Sequence, residues 1–227
     1  MITKRGFMNF KKLSKYLPLG LGLIISQSSF SSSFDGNLYQ DLHHAAPGLN
    51  QSALKSAVHA YQKAALKHLV KKPMLTVIDY SLPSSQQRMW IFDVNRHKLV
   101  MNTYVAHGQN SGMQKANHFS NTPSSKASSL GTFITKDTYS GHNGISLNLQ
   151  GLEKGFNDNA LNRRVVIHGA WYMDPSYIRQ TGRAGRSWGC PAVAKSVASS
   201  LINTIKGGSV VFAYYPDSHY LHASNYA

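Results

Sequence analysis

One thiol and one histidine in the C-terminal half of the chain are of the types needed for nucleophilic catalysis. Cys190 is the only cysteine among the 227 residues, and it directly follows the tripeptide Ser187–Gly189. His168 ends a short apolar run and is followed at once by Gly169. A free thiol is mostly protonated at neutral pH, and an adjacent imidazole can take its proton. We therefore predict that Cys190 is a nucleophile and that His168 is its base.

The residues next to this pair would assist the same chemistry. An imidazole that holds the thiolate as an ion pair lowers the pKa of the thiol, so we expect a lowered pKa for Cys190. A helix is expected shortly after Cys190, and its N-terminus would favour the anion further. Gly189 leaves the thiol approachable, and the amides of Gly189 and Cys190 are candidate donors to an oxyanion. The carbonyl of Gly169 is the nearest acceptor for the second ring N–H of His168.

Cys190 also has a purely structural interpretation, since free cysteine is often a small buried hydrophobe. A single thiol cannot form an internal disulfide, and in an oxidising compartment an unused thiol is a liability. Export of the protein would therefore favour a functional cysteine. The chain has eleven histidines, so a chance pairing of cysteine with histidine is easy and the pair alone is weak support.

The first 33 residues have the three-part order of a secretory signal peptide. Five basic residues come first, an uncharged apolar run from Leu17 to Ile25 follows, and a small polar stretch ends at Ser33. The apolar run is too short to span a bilayer, and no cysteine follows it to carry a lipid. We predict export to the periplasm or cell envelope, with no stable membrane insertion after removal of the signal. A buried amphipathic helix and an uncleaved anchor are the alternatives.

The charge of the chain bears on its partners. Removal of residues 1–33 would lower the formal net charge from +15 to +10. Such a domain is attracted to polyanions, and an acidic wall polymer suits an exported protein better than nucleic acid does. A charge that only keeps the protein soluble is the alternative. We expect neither a metal site nor a cofactor, because ligand spacing and carboxylate partners are missing around four histidines of the terminal stretches, His43, His44, His219 and His222.

Residues 34–72 are predicted to be a polar tether, over 34–48, followed by an amphipathic helix. Asn50 is a plausible N-cap for that helix. Apolar residues then recur at three- and four-residue steps from Leu54 to Leu69, and the helix should stop before Pro73.

Residues 73–216 are predicted to form the catalytic domain, and 217–227 a C-terminal tail. Short apolar or alternating runs predict strands over 74–79, 88–94, 99–106, 131–135, 145–149, 165–167 and 209–215. A long polar loop covers 107–129, and a late helix covers 194–206. Strands dominate, so we predict a mainly β, mostly antiparallel domain, sandwich or barrel-like, with accessory helices.

The motif around the thiol resembles that of the murein L,D-transpeptidase catalytic domain family. It consists of His168-Gly169 at a strand end and of an S-x-G-C, Ser187 to Cys190, that opens 19 residues after the histidine. The resemblance covers roughly residues 49–217 and includes the segments 107–112, 120–123, 129–133, 151–153, 157–160 and 206–208.

The resemblance implies an L,D-transpeptidase-like β domain that acts on peptidoglycan stem peptides. In that family a cysteine attacks the bond between a diamino acid and a terminal D-residue of a tetrapeptide stem. An amine of a second stem resolves the thioester, whereas water as acceptor would make the enzyme an L,D-carboxypeptidase. By position Cys190 is the nucleophile, His168 is the base and Gly169 supplies the orienting carbonyl. A thiol peptidase of the envelope and a non-catalytic wall-binding domain are further alternatives.

The chain departs from the commoner S-H-G-C-x-R pattern of the family. Trp188 stands at the histidine position, and Pro191-Ala192 follow the cysteine, so the arginine position is empty. We expect Arg183 or Arg186, just upstream, to bind a stem carboxylate in bidentate geometry. The other expected substrate-binding residues are Ser187, Trp188, Gly189 and His107. The sequence leaves the oligomeric state open.

Overall fold

The fold is built on one eight-stranded sheet in residues 37–227, the part of the chain that the computed structural model describes. The strands are β1 (Met74–Asp79), β2 (Met89–Asp93), β3 (Lys98–Thr103), β4 (Gly131–Gly141), β5 (Gly144–Gly151), β6 (Val166–Ala170), β7 (Ala192–Ala194) and β8 (Val210–Tyr214). The predicted signal peptide, residues 1–33, lies outside the described part of the chain.

The sheet has a nearly closed, barrel-like form with the order β3-β2-β1-β8-β4-β5-β6-β7. Five of the seven strand pairings are antiparallel, whereas β1 with β8 and β6 with β7 pair in parallel. The prediction of a mainly β fold with accessory helices is therefore confirmed. The parallel β6–β7 pair brings the segment just before β7, which contains Cys190, alongside the strand that contains His168.

Two helices cover the sheet. The helix α2 (Gln51–Leu66) packs against β1 and β8, and α4 (Lys195–Ile205) packs against β5 and β6. Asn50 caps α2 as predicted, because its Oδ1 accepts hydrogen bonds from the amides of Ser52 and Ala53 at 2.8 and 3.2 Å. The buried side chains of α2 include Leu54, Val58 and Tyr61, the apolar stripe that the sequence indicated.

The segment expected to be a polar tether contains a helix instead. The helix α1 (Asn37–Ala45) buries Leu38 and Leu42, four residues apart on one face, and contacts α2 and β3. Two buried leucines among nine residues give a weak signal of helical period, and the surrounding polar residues conceal it. Burial against α2 supplies the stabilisation that the sequence of α1 lacks on its own.

The C-terminal tail is also ordered and docked. The helix α5 (Ser218–Ala223) buries Tyr220, whose hydroxyl donates to the carboxylate of Glu153 at 3.1 Å. Ser224 donates to the same carboxylate. Glu153 lies in the turn after β5, so a contact across the fold adds to the local N-cap at Asp217 in holding this segment in place.

One helix of the catalytic region was missed. The helix α3 (Pro175–Thr181) lies between β6 and β7 and starts at Asp174, whose carboxylate accepts from the amide of Ser176 at 2.8 Å. With its flanking loops it forms the crossover that lets β6 and β7 pair in parallel. Among residues 37–227, no helix is long and apolar enough to cross a membrane.

Candidate active site

Strand pairing brings the segments of His168 and Cys190 side by side. In the β6–β7 pair His168 lies opposite Ala192, and Cys190 is two residues before Ala192. At roughly 3.3 Å per residue, two residues correspond to about 7 Å along the chain. Cys190 is partly exposed, whereas the ring of His168 is buried. The thiol therefore sits at the rim of the sheet with the imidazole on the neighbouring strand behind it.

A hydrogen bond to the next residue fixes the ring of His168. Its Nδ1 lies 3.0 Å from the carbonyl oxygen of Gly169, the contact expected from the sequence. A carbonyl oxygen only accepts, so Nδ1 carries the proton and the neutral ring keeps Nε2 as an acceptor. Burial lowers the pKa of His168 below its usual value, and the bond to Gly169 offsets part of that effect. The imidazole is thus neutral near pH 7 and able to receive a proton at Nε2.

Close packing favours glycine at position 169. A Cβ at this position would lie 3.1 Å from Cβ of Ala198 and 3.3 Å from Cα of Lys195, both on α4. The absence of a side chain lets α4 pack directly on β6. The strand that contains His168 is in this way fixed against a helix.

The surroundings of the sulfur favour the protonated thiol. Sγ of Cys190 donates to the carbonyl oxygen of Arg164 at 3.6 Å. Burial raises the pKa of Cys190 above its usual value, while the amide of Val166 and the guanidinium of Arg163 oppose the rise. Cys190 is partly exposed as a residue, and burial is the largest of the effects on the pKa of its thiol. The lowered pKa expected from the sequence is therefore not found.

The helix invoked for the thiolate is too far along the chain. The strand β7 stands between Cys190 and α4, which begins at Lys195. The effect of a helix N-terminus falls off within its first turn. The helix was predicted over 194–206 and is found at Lys195–Ile205, but no sequence signal indicated that Ala192–Ala194, just before it, form a strand paired with β6.

Ser187 shapes the turn before the thiol. Its Oγ accepts from the amide of Gly189 at 3.1 Å and donates to the carbonyl of Cys190 at 2.6 Å, and the residue is buried. The Gly189 amide is thus occupied and does not point at a substrate, contrary to the expected oxyanion role. The Cys190 amide forms no hydrogen bond with any residue of 37–227. The amides of Trp188 and Cys190 are therefore the two unpaired amides of this turn within the described chain.

Gly189 has the one backbone conformation in this turn that excludes other residues. Its φ is +115°, and a Cβ would lie 2.6 Å from the carbonyl oxygen of Ala127. Both the left-handed backbone and the contact with Ala127 require glycine. The expected substrate-binding residues Ser187 and Gly189 therefore build the turn, and their side-chain positions face the protein.

Arg163 is a residue of this site that the sequence analysis did not predict. It is half-buried, and its pKa is lowered by burial and raised by the neighbouring Cys190. A Cβ on Gly189 would lie 3.2 Å from its Nη2. Its guanidinium donates to four neutral oxygens, those of Ser120 O (2.7 Å), Ser129 Oγ (2.5 Å), Ser125 Oγ (3.1 Å) and Ala127 O (2.6 Å). Within residues 37–227 it forms no salt bridge.

The two arginines predicted to bind substrate have other contacts. Nη1 of Arg186 donates to the carbonyls of Gln109 and Gly112 at 3.0 and 3.3 Å. Nη1 of Arg183 donates to the carbonyl of Ala184 at 3.2 Å. Both side chains are partly exposed. The charge of Arg163, and not that of Arg183 or Arg186, acts on the pKa of Cys190.

His107 lies inside the protein. Its ring is fully buried, with Nδ1 2.7 Å from Nη2 of Arg88 and Nε2 3.2 Å from the carbonyl of Gly112. Arg88 is itself fully buried and donates to the carbonyls of Val105 and Leu82. The side chain predicted to bind substrate therefore anchors the long loop after β3 to the core. A turn histidine and an interior histidine look alike in sequence.

His107 makes the stability of the fold sensitive to acid. Burial, and then the charge of Arg88, lowers its pKa to about 4. Below about pH 6.5 this histidine binds a proton in the unfolded chain but not in the folded chain. We expect this part of the stability to be complete above pH 6.5 and to be lost as the pH falls to about 4, by on the order of 3 kcal/mol.

His107→Gln, which keeps a donor and an acceptor but does not titrate, tests that expectation. Urea denaturation should show that wild type loses more free energy of unfolding than the variant between pH 6.5 and 4. His142→Gln, an exposed histidine between β4 and β5, is the matched control and should follow wild type. Parallel pH profiles for wild type and His107→Gln would contradict the assignment.

Aromatic side chains flank the segment that contains the thiol. Trp188, two residues before Cys190, is 73% exposed, and Nζ of Lys126 lies 4.8 Å from its ring centre. Burial, and then Cys190, raises the pKa of Tyr172 to about 12, and Cys190 also acts on the pKa of the buried Tyr80. Nothing in the local sequence pointed to Tyr80, Tyr172 or Arg163, because separate elements bring them to the thiol. Among residues 37–227, no three His, Cys, Asp or Glu side chains are grouped to hold a metal ion.

The fold and the site define a catalytic domain of mainly β architecture with one thiol and one oriented imidazole. The chain belongs to the L,D-transpeptidase catalytic domain family, whose model matches residues 45–214. The resemblance seen in the sequence is thereby confirmed. Membership implies an enzyme and a peptidoglycan substrate. No curated protein matches the chain.

Several solved structures are similar to the chain at low sequence identity. An L,D-transpeptidase from Mycobacterium smegmatis is 10% identical over 63% of this chain and 67% of its own, with a TM-score of 0.37. An L,D-transpeptidase (residues 123-326) from Xylanimonas cellulosilytica DSM 15894 is 16% identical over 78% and 91%, with a TM-score of 0.36. The Ldtfm-avibactam carbamoyl enzyme is 18% identical over 62% of this chain and 48% of its own, with a TM-score of 0.35. Similarities of this size carry no argument about the site.

Proposed function

We propose that this protein is an exported peptidoglycan L,D-transpeptidase in which Cys190 forms an acyl-enzyme from a tetrapeptide stem and transfers it to an amine of a second stem. The observation that carries the proposal is the bond between His168 Nδ1 and the Gly169 carbonyl, at 3.0 Å. It leaves Nε2 as the proton acceptor on the strand beside the only thiol. The proposal of export is supported by the signal-like order of residues 1–33. An exported enzyme would act in the periplasm or cell envelope.

The first half of the reaction forms a thioester. Sγ of Cys190 attacks the carbonyl carbon of the diamino residue, and its proton passes to Nε2 of His168. The oxyanion lies within reach of the Cys190 amide, which has no other hydrogen-bond partner in the described chain. The imidazolium then protonates the amide nitrogen of the terminal D-residue, the C–N bond breaks, and that residue leaves.

The second half transfers the acyl group. The amine of another stem attacks the thioester and gives its proton to Nε2 of His168, the C–S bond breaks, and the imidazolium returns the proton to sulfur. Because burial raises the pKa of Cys190 and lowers that of His168, both groups are neutral at rest. The proton therefore moves from Cys190 to His168 as the substrate is attacked, and the resting site holds no thiolate–imidazolium ion pair.

Mass spectrometry of muropeptides tests the reaction. The protein without residues 1–33 is incubated with purified disaccharide tetrapeptides, and the products are identified by mass. Cross-linked dimers with release of the D-residue support transpeptidation. Tripeptides without dimers identify the L,D-carboxypeptidase instead, and unchanged tetrapeptides would reject both activities.

Arg163 is proposed to stabilise the thiolate and to hold the walls of the site. Its charge opposes the raised pKa of Cys190, and its four hydrogen bonds bind the loop segment 120–129. We expect Arg163→Met to raise the midpoint of Cys190 alkylation and to lower kcat/KM by about 10- to 100-fold. Arg163→Lys should keep the midpoint closer to wild type but lose turnover, because a lysine ammonium cannot reproduce the planar fork.

Arg183→Met and Arg186→Met are the matched controls for that prediction. Each of these two substitutions removes one positive charge from the segment just before Cys190, yet neither arginine acts on the pKa of Cys190. We expect their alkylation midpoints to equal that of wild type. Loss of turnover in Arg183→Met or Arg186→Met, with a rise in KM, would identify the carboxylate anchor predicted from the sequence. An alkylation midpoint that Arg163→Met leaves unchanged would remove Arg163 from the thiol chemistry.

A further inference from the structure

Two of the three tryptophans are the most exposed large apolar side chains of the described chain. Trp188 is 73% and Trp171 65% exposed, whereas Trp90 is 5% exposed in the core. Trp188 precedes Cys190 by two residues, and Trp171 follows His168 by three. Exposed indole rings are costly in a folded protein, and their position beside a catalytic pair points to a ligand.

The ring of Trp171 is held in a fixed orientation. It lies 5.8 Å from the ring centre of Tyr172 and 5.5 Å from that of Tyr177, at interplanar angles of 79° and 82°. The segment is anchored by Met173 and Ile178, which are buried in a small core of their own. Two perpendicular aromatic contacts orient the indole, yet two thirds of it stays open to solvent. Such a ring is organised for stacking before a ligand arrives.

Tyr172 connects this ring to the thiol. Its side chain packs against the backbone of Gly185, where a Cβ would lie 2.5 Å from Tyr172 Cβ. Gly185 lies five residues before Cys190, so Tyr172 packs against the segment that leads to the thiol. Trp171 follows Ala170, which pairs with Ala194 four residues after Cys190, so at roughly 3.3 Å per residue it lies about 13 Å along the strand from the thiol.

We propose that Trp171 is a stacking platform for a sugar ring of the glycan strand that carries the stem peptide. Sugar rings present a face of C–H bonds that are weakly positive, and the face of an indole is negative. Asp174 and Arg179, both exposed and close to Trp171 along the chain, offer hydrogen-bonding groups for the hydroxyls around such a ring. This inference rests on the proposed function, because it assigns a second part of the same substrate.

The length of the stem fits this placement. Three residues separate the sugar from the bond that Cys190 would attack, and an extended chain spans about 3.3–3.6 Å per residue, or roughly 10 Å. That length is of the same order as the separation of about 13 Å between Cys190 and the end of β6, from which the side chain of Trp171 extends. A stem bound at Cys190 would thus bring its own sugar to the surface of Trp171. A peptide acceptor on Trp171 is the competing occupant, and the experiment separates the two.

The experiment measures binding of two probes that contain no stem peptide. They are glycan strands freed of their stems and a tetramer of N-acetylglucosamine, and the protein is the chain without residues 1–33. We expect the wild type to bind both, with protection of tryptophan fluorescence from acrylamide. Trp171→Ala should weaken binding by about 3- to 10-fold, and Trp171→Phe should retain most of it. Tyr139→Ala, another exposed aromatic at 46% but on β4, is the control and should bind as wild type.

Turnover gives the second readout. The ratio of kcat/KM on disaccharide tetrapeptide to kcat/KM on free tetrapeptide should fall by the same 3- to 10-fold in Trp171→Ala. Wild type that turns over stems but binds neither probe would overturn the platform and leave the proposed function standing. Wild type that binds both probes but acts on no stem would reject the proposed function alone. Equal binding by Trp171→Ala and wild type would overturn the platform, and thermal unfolding of the Ala and Phe variants establishes that both are folded.

Discussion

Cys190→Ser is expected to reduce turnover of muropeptides by at least about a thousandfold. A hydroxyl is a far weaker acid than a thiol, and the buried site that already raises the pKa of Cys190 would hold a serine in its protonated form. His168 has a lowered pKa and is too weak a base to ionise a hydroxyl. The acyl-enzyme should therefore not form. Intact-protein mass spectrometry after incubation with tetrapeptide should find the added acyl group on wild type and none on Cys190→Ser.

The structure predicts that this variant stays folded. The Oγ of a serine at position 190 can donate to the Arg164 carbonyl, as Sγ does at 3.6 Å. We expect thermal unfolding close to that of wild type. Ser199→Ala, an exposed serine on α4, is the control for a serine-related change far from the thiol and should keep full activity. Turnover by Cys190→Ser within tenfold of wild type would mean that another group is the nucleophile.

The sheet was predictable from the sequence because its signals are local. The segment 74–79 is a short apolar run and 145–149 alternates apolar with polar residues, and the structure has β1 and β5 there. The bond from His168 to Gly169 was predictable for the same reason, since its two partners are adjacent. Helix α1 gave almost no local signal, because only Leu38 and Leu42 mark its buried face.

The rest of the site depends on contacts between distant segments. Arg163 donates to oxygens of residues 34 to 43 positions earlier in the chain, and no motif near Arg163 indicates these hydrogen bonds. The raised pKa of Cys190 follows from the volume of protein around its sulfur, which spacing in a sequence does not contain. The Gly189 amide looked free in sequence, yet Ser187 occupies it through a turn whose geometry requires a φ of +115°. The sequence indicated Cys190 and His168 as candidates, and packing sets the direction in which the pKa of each is shifted.

Replacing His168 is expected to abolish most turnover without moving the ionisation of the thiol. His168→Gln removes the proton acceptor at Nε2 but can still donate to the Gly169 carbonyl, so we expect kcat/KM to fall by about 100- to 10,000-fold. The alkylation midpoint of Cys190 should lie above the usual thiol value in wild type and stay there in His168→Gln, because burial sets it. Since Cys190 is the only cysteine, a thiol reagent reports this one group without further mutation.

The pH dependence of turnover follows from the same two shifts. A neutral imidazole is needed as acceptor, and burial lowers the pKa of His168, so activity should rise through a midpoint below about 6.5 and then level off. A plateau is expected because the thiol stays protonated until the pH exceeds its raised pKa. A preformed ion pair, the arrangement first predicted from the sequence, gives the opposite behaviour. An ion pair requires that the alkylation midpoint of wild-type Cys190 lie well below the usual thiol value and move upward in His168→Gln. That result would show that the resting site holds a thiolate and an imidazolium, and not two neutral groups.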